Sequence, residues 1–114
     1  MNTERLLQLA THLRQEKLPI EWDFYQILDP CGTAGCALGN MQFVFPEEFG
    51  REHQGVFGMF DRAAEWFGIS KKQCYGLFMD EDCDRLELGF PHQADKLTPL
   101  QVAENIEWFV KSNT

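Results

Sequence analysis

The chain has 114 residues, 44% of them hydrophobic, and a formal net charge of −8 at pH 7. This length and composition predict one globular domain over residues 1–114. The negative charge argues against binding to a nucleic-acid backbone, which requires clustered Lys and Arg. No stretch reaches the roughly 18 apolar residues of a membrane span, and residues 1–5 do not begin a signal peptide. We therefore expect a cytoplasmic protein that contacts neither nucleic acid nor membrane.

The N-terminal third predicts one amphipathic helix followed by a connector. Thr3 can cap a helix to about residue 17, because Leu6, Leu9 and Leu13 recur at helical spacing. Pro19 then disfavours helical geometry in the residue before it. Residues 20–30 contain widely spaced apolar side chains and predict an extended or irregular connector.

Residues 31–40 depart most from an ordinary helical sequence, because these ten positions hold two cysteines and three glycines. Gly32, Gly35 and Gly39 fall at i, i+3 and i+7, which would place them on one face of a helix. No charged residue occurs from residue 31 to residue 45. The pattern predicts a buried helix from near Cys31 or Thr33 to residue 45, with the other helices packed around it.

The second half of the chain predicts three more helices. A polar turn at residues 46–50 precedes an amphipathic helix that Gly68 ends. Ser70 and Gln73 form a capping box for a short fourth helix, and Thr98 and Gln101 form one for the last helix. We found no convincing pair of strands. The predicted fold is all-α, with about five helices around a central glycine-rich helix.

The string Cys31-Gly32-Thr33-Ala34-Gly35-Cys36-Ala37-Leu38-Gly39 resembles the Cys-Gly-Thr-x-x-Cys-x-x-Gly signature of small bacterial proteins of unknown function. Their later features also occur here in order: a helix ending near Gly68, a short helix ending in Leu77-Phe78, and a final Thr-Pro-x-x-Val-Ala helix at residues 98–103. The resemblance spans about residues 22–110. It implies an α-helical bacterial domain and assigns no activity or catalytic residue.

Cys36 is the candidate for catalysis. If Thr33 capped a helix, Cys36 would lie in its first turn, where the positive helix end favours a thiolate. The string is also superficially similar to the Cys-Gly-Ser-Cys-Trp string of papain-like proteases. A cysteine hydrolase or transferase would need a nearby histidine, and His53 or His92 is available, with Asp95 or Asn105 to orient it. The alternative, which we prefer, is that Cys36 is a small buried residue without catalytic role.

Metal and redox sites are weaker interpretations of the same residues. The spacings Cys31-x4-Cys36 and Cys74-x8-Cys83 do not match those of structural zinc sites. Cys31 and Cys36 could approach each other as a dithiol redox pair only if Cys31 lay in a loop before the helix. Asp80, Asp82 and Asp84 are similar to the first half of a calcium loop. However, Arg85 and Pro91 stand where that loop needs glycine and glutamate. We predict no metal and no cofactor.

Residues 80–87 are the most acidic stretch and the candidate binding surface. The stretch carries five carboxylates against the single Arg85, a net charge of −4: Asp80, Glu81, Asp82, Asp84 and Glu87. Such a surface is either a solvated loop or a face that attracts a basic protein. The sequence predicts a non-catalytic interaction module for such a partner, with the cysteine enzyme as the alternative. It leaves the oligomeric state open.

Overall fold

The computed structural model describes residues 1–22, 34–49, 59–78, 88–93 and 97–114. The described elements, in chain order, are helix α1 (Thr3–Leu13), strands β1 (Glu21–Trp22) and β2 (Ala34–Gly35), and helices α2 (Met41–Val44), α3 (Pro46–Phe49), α4 (Met59–Phe67), α5 (Lys71–Phe78) and α6 (Pro99–Ser112). The prediction of an all-α fold is confirmed. The described residues form six helices rather than five, and α2 and α3 are single turns.

The longest helices, α1 and α6, pack against each other and form one side of the core. Both bury the faces that their apolar spacing predicts: Leu6, Leu9, Ala10 and Leu13 on α1, and Val102, Ala103, Ile106, Phe109 and Val110 on α6. The predicted capping box of α6 is present, since Thr98 and Gln101 exchange side-chain and backbone hydrogen bonds.

The N-terminal helix differs from its prediction at both ends. Its cap is Asn2 rather than Thr3, because the Asn2 side chain accepts a hydrogen bond of 3.0 Å from the backbone N–H of Arg5. The helix ends at Leu13, not near residue 17. Residues 15–17 are exposed, so a further turn of helix would have buried no apolar side chain.

The helices α4 and α5 meet at a turn that was predicted correctly. Gly68 has a φ of 67°, a left-handed conformation that favours glycine, and it follows the last residue of α4. Ser70 and Gln73 then form the predicted capping box of α5. The inward faces of both helices are buried and include Ala63, Ala64, Phe67, Cys74, Leu77 and Phe78.

The prediction of a central helix over the motif is wrong, although the burial of residues 36–41 is confirmed. The backbone of residues 34–35 forms β2, which pairs in parallel with β1 so that Trp22 lies opposite Gly35. A turn at residues 37–40 leads into α2. Residues 36–41 are all buried. Glycine is a poor helix former, and the backbone groups of β2 are satisfied by a distant segment instead. The expected glycine stripe therefore does not exist, because it required a helix.

Residues 46–49 are also helical, where the sequence analysis predicted a polar turn. Pro46 occupies the first position of α3, where its missing N–H costs nothing. Phe49 at the end of α3 is buried. Of the helices in the described ranges, none is long and apolar enough to cross a membrane.

Candidate functional site

Cys36, the predicted nucleophile, is part of the core. Only 2% of its surface is exposed. It lies between β2 and the turn into α2, so Cys36 does not stand in the first turn of a helix, where its thiolate was expected to be favoured. Its carbonyl oxygen accepts hydrogen bonds from the backbone N–H of Asn40 at 3.1 Å and from the Asn40 side-chain amide at 2.9 Å. The residue is thus anchored through its backbone, and its thiol is shielded from solvent.

A second buried thiol, Cys74 on α5, lies near Cys36 and has no surface exposure. Burial raises the pKa of the Cys74 thiol to about 12, and the negative charges of Asp61 and of a Cys36 thiolate act in the same direction. The thiolate is the nucleophilic form of cysteine. At neutral pH Cys74 is therefore protonated and unreactive.

Asn40 is the centre of a polar network inside this apolar region. It is fully buried, and its side-chain oxygen lies 2.9 Å from Nε2 of His12 on α1. Because an amide oxygen can only accept, Nε2 of His12 donates this hydrogen bond. The imidazole also stacks on Phe43, with ring centroids 6.4 Å apart and planes 15° apart. Asn40 thereby connects α1 to the backbone of the cysteine motif.

Sequence reasoning misses this network, because His12 lies outside the apolar pattern by which α1 was predicted. A partial signal was available, since Asn40 is a polar residue in a stretch without charges and lies four positions after Cys36. A buried amide needs partners for both its N–H and its oxygen. The partner on α1, 28 positions away, cannot be found from local spacing.

His92 and Asn105, which were predicted as a catalytic histidine and its orienting residue, do lie together. The Asn105 side chain accepts a 3.0 Å hydrogen bond from the backbone N–H of His92 and donates one of 3.0 Å to its carbonyl oxygen. Nε2 of the His92 imidazole lies 3.4 Å from a carboxylate oxygen of Glu104. Asn105 therefore holds the backbone of the loop and does not orient the imidazole.

The remaining predicted site residues divide into two groups. Gly35 belongs to β2, and Gly39 is buried in the turn, where its carbonyl accepts a 3.0 Å hydrogen bond from the Gln42 side chain. The others lie outside the described residues: Cys31, Gly32, Thr33, His53, Asp80, Glu81, Asp82, Cys83, Asp84, Glu87 and Asp95. In the described ranges, no three His, Cys, Asp or Glu residues are grouped so that they could hold a metal ion.

A stacked arginine and aromatic cluster joins α1 to α4. The Arg5 guanidinium carbon lies 3.4 Å from the ring centroid of Trp66, and Arg5 also donates a 2.9 Å hydrogen bond to the Trp66 carbonyl. Nε1 of Trp66 is buried without a hydrogen-bond partner. The rings of Phe45 and Phe49 meet the indole at steep angles, with centroids 5.4 and 5.8 Å away, an arrangement that suits N–H···π contacts. These contacts hold α1 against α4, and we assign the cluster a structural role in packing the two helices together.

Comparisons of the chain with protein-family models, with curated proteins and with solved structures find no match. The resemblance of residues 31–39 to the bacterial motif therefore remains a prediction.

Proposed function

We propose that this chain is a non-catalytic interaction module that binds a basic protein. The observation that carries the proposal is the burial of Cys36, the residue on which the competing enzyme hypothesis depends. A nucleophilic cysteine must be deprotonated and must reach its substrate. A thiol with 2% exposure, beside a second thiol whose pKa is about 12, is poorly suited to both requirements.

The charge of the chain supports the choice of partner. A net charge of −8 on 114 residues attracts positively charged proteins and accelerates their encounter. Half of that charge lies in residues 80–87, which we propose as part of the binding face. Charged groups at the edge of a binding surface affect the association rate more than the dissociation rate.

The cysteine hydrolase or transferase stays the second candidate, and one observation favours it. A cysteine, a histidine and an asparagine meet in this fold, since Asn40 bonds both His12 and the backbone of Cys36. The Asn40 contact to Cys36 uses the peptide oxygen, however, and not the thiol. A role in holding the motif segment against α1 accounts for both hydrogen bonds.

The proposal is tested by neutralising the acidic stretch. A variant with Asp80→Asn, Asp82→Asn and Asp84→Asn is compared with a control that loses the same charge elsewhere, at the exposed Glu16, Glu21 and Glu47. With a partner identified by affinity capture, we expect the first variant to lower the association rate and its salt dependence more than the control does. Equal rates for the two variants would contradict a binding face at residues 80–87.

A further inference from the structure

A small cleft lies where α1, α3 and α4 meet, and two of its walls are arginine side chains. Its volume is about 340 Å³, near the lower end of the range for small-molecule sites. Arg5 from α1 and Arg62 from α4 line it together with two aromatic and two acidic side chains: Phe49, Trp66, Glu48 and Glu65. The chain has a net charge of −8 and ten Lys and Arg residues in all. Two of those ten cations are thus gathered at one concave site.

Both guanidinium groups of the cleft are held in place by the protein itself. The Arg5 guanidinium carbon lies 3.4 Å from the ring centroid of Trp66, and that of Arg62 lies 4.9 Å from the ring centroid of Phe49. The two rings are in contact, with centroids 5.8 Å apart, so the two stacks are neighbours. Arg62 also donates a 2.6 Å hydrogen bond to the carbonyl oxygen of Glu48. A group that is fixed before binding loses less conformational entropy when a ligand arrives.

One edge of the Arg5 guanidinium is not used by the fold. Its Nη1 donates a 2.9 Å hydrogen bond to the Trp66 carbonyl oxygen, whereas in the described part of the chain its Nε and Nη2 have no hydrogen-bond acceptor and no carboxylate partner. Such an edge binds a carboxylate through two parallel hydrogen bonds. Arg14 on the same helix shows this pairing, since its Nε and Nη2 donate to the two carboxylate oxygens of Glu107. The corresponding edge of Arg5 is therefore suited to the carboxylate of a ligand.

The two glutamates of the cleft determine the class of that ligand. Glu48 and Glu65 are exposed, and among the described residues neither carboxylate has an ion-pair partner. A dianion such as phosphate is repelled by both glutamates and by the charge of −8 on the chain. A zwitterion has no net charge, and its carboxylate and ammonium match the two kinds of charged group that line the cleft.

We infer that this cleft binds a small zwitterion, an α-amino acid, with its carboxylate on the Nε–Nη2 edge of Arg5 and its ammonium beside Glu48 or Glu65. The positive charge of Arg62 adds to the attraction for the carboxylate. The packing of α1 against α4 is unaffected, because it uses the face of the Arg5 guanidinium and Nη1. The inference goes beyond the proposed function and does not depend on it, since a bound amino acid requires no catalytic residue.

The test titrates L-leucine into the isotopically labelled full chain and follows its NMR spectrum, including the side-chain Nε–H of Arg5 and the indole N–H of Trp66. Two analogues each lack one charge: leucinamide has no carboxylate, and N-acetyl-leucine has no ammonium. We expect leucine to shift both resonances in a saturable manner with a Kd on the order of 1 mM, and each analogue to bind at least about tenfold more weakly. Inorganic phosphate at the same concentration should leave both resonances in place.

A pair of arginine variants tests the carboxylate contact. Arg5→Lys keeps the charge but removes the edge with two donors, so it should raise the Kd of leucine about tenfold. Arg14→Lys is the matched control, because it loses the same kind of edge from the pair with Glu107 and does not line the cleft. The control should change the Kd of leucine by less than about twofold.

A pair of double variants tests the ammonium contact. Glu48→Gln with Glu65→Gln removes both carboxylates of the cleft, so it should abolish the preference for leucine over N-acetyl-leucine. Glu16→Gln with Glu21→Gln removes the same charge at exposed positions outside the cleft. This control should keep the preference, because the change in net charge of the chain is identical.

Four results would overturn the inference. The first is the absence of a saturable shift at about ten times the expected Kd of leucine. The second is equal binding of leucine and N-acetyl-leucine to the unchanged chain, which would make the cleft a site for simple carboxylates. The third is an equal effect of Arg5→Lys and Arg14→Lys, which would place the ligand elsewhere. The fourth is a shift by phosphate without one by leucine.

Discussion

Replacement of Asn40 by alanine should destabilise the chain strongly, because its side chain makes two hydrogen bonds while fully buried. It donates to the carbonyl oxygen of Cys36 at 2.9 Å and accepts from Nε2 of His12 at 2.9 Å. Each such bond contributes about 1 kcal/mol net. In the variant, the Cys36 carbonyl oxygen keeps its hydrogen bond from the backbone N–H of residue 40, and the partly exposed His12 can bind water. With the small cavity that the shorter side chain leaves, the free energy of unfolding should fall by about 2–3 kcal/mol.

This change corresponds to a decrease in Tm of roughly 10 °C for a chain of this size, measurable by urea and thermal unfolding followed by circular dichroism. Gln42→Ala is the control, because Gln42 lies two positions away and makes one 3.0 Å hydrogen bond from a partly exposed side chain. We expect it to cost less than about 1 kcal/mol. A double-mutant cycle between Asn40→Ala and His12→Ala should give a coupling energy of at least about 0.5 kcal/mol. Zero coupling, or equal costs for Asn40→Ala and Gln42→Ala, would refute the network.

Three further changes test other parts of the fold. Gly68→Ala should lower the free energy of unfolding by about 1–2 kcal/mol, since Gly68 has a φ of 67° and a Cβ would lie 3.3 Å from backbone atoms of Met1. Gly89→Ala should cost less, because Gly89 has a similar φ but its Cβ would lie 3.7 Å from the nearest atom, in the Trp108 side chain. A larger loss for Gly89→Ala than for Gly68→Ala would contradict the close contact with Met1. The raised pKa of Cys74, about 12 against an ordinary 9.0, means that only the unfolded chain releases this proton between those values. The contribution of the Cys74 thiol to the free energy of unfolding should therefore be fully present below about pH 9 and should fall between pH 9 and 12 by up to about 1.4 kcal/mol per pH unit. If the free energy of unfolding of Cys74→Ala fell with the same slope over this range, the fall could not come from Cys74. Arg5→Lys should cost about 1 kcal/mol in urea unfolding, because lysine loses the planar stack on Trp66; an unchanged midpoint would show that the stack contributes nothing.

The parts of the fold that were predicted correctly are those with local causes. The capping boxes at Thr98 and Ser70 and the glycine stop at Gly68 depend on contacts within three residues of each other. The buried faces of α1 and α6 follow from periodicity alone. In each case the residues that determine the structure are neighbours in the sequence.

The motif segment was predicted wrongly because its structure has distant causes. Gly35 is paired with Trp22, 13 positions earlier, and Asn40 is bonded to His12 across 28 positions. The glycines have a helical spacing, but glycine is a poor helix former, and pairing with β1 satisfies the backbone of residues 34–35 instead. At the candidate site, Asn105 bonds the backbone of His92 and not its imidazole, across 13 positions, and local spacing does not reveal such a contact.

The most direct test of the central claim, that Cys36 is a shielded core residue and not a nucleophile, is the rate at which a thiol reagent labels it in the native chain. The substitutions Cys31→Ser and Cys83→Ser leave Cys36 and Cys74 as the only thiols, and mass spectrometry assigns the label to each. At neutral pH we predict labelling of Cys36 at least about a thousandfold slower than in the urea-unfolded chain, because it must await opening of the core. Labelling at the unfolded rate, with an apparent pKa below that of an ordinary cysteine, would contradict the account and establish the cysteine enzyme as the better hypothesis.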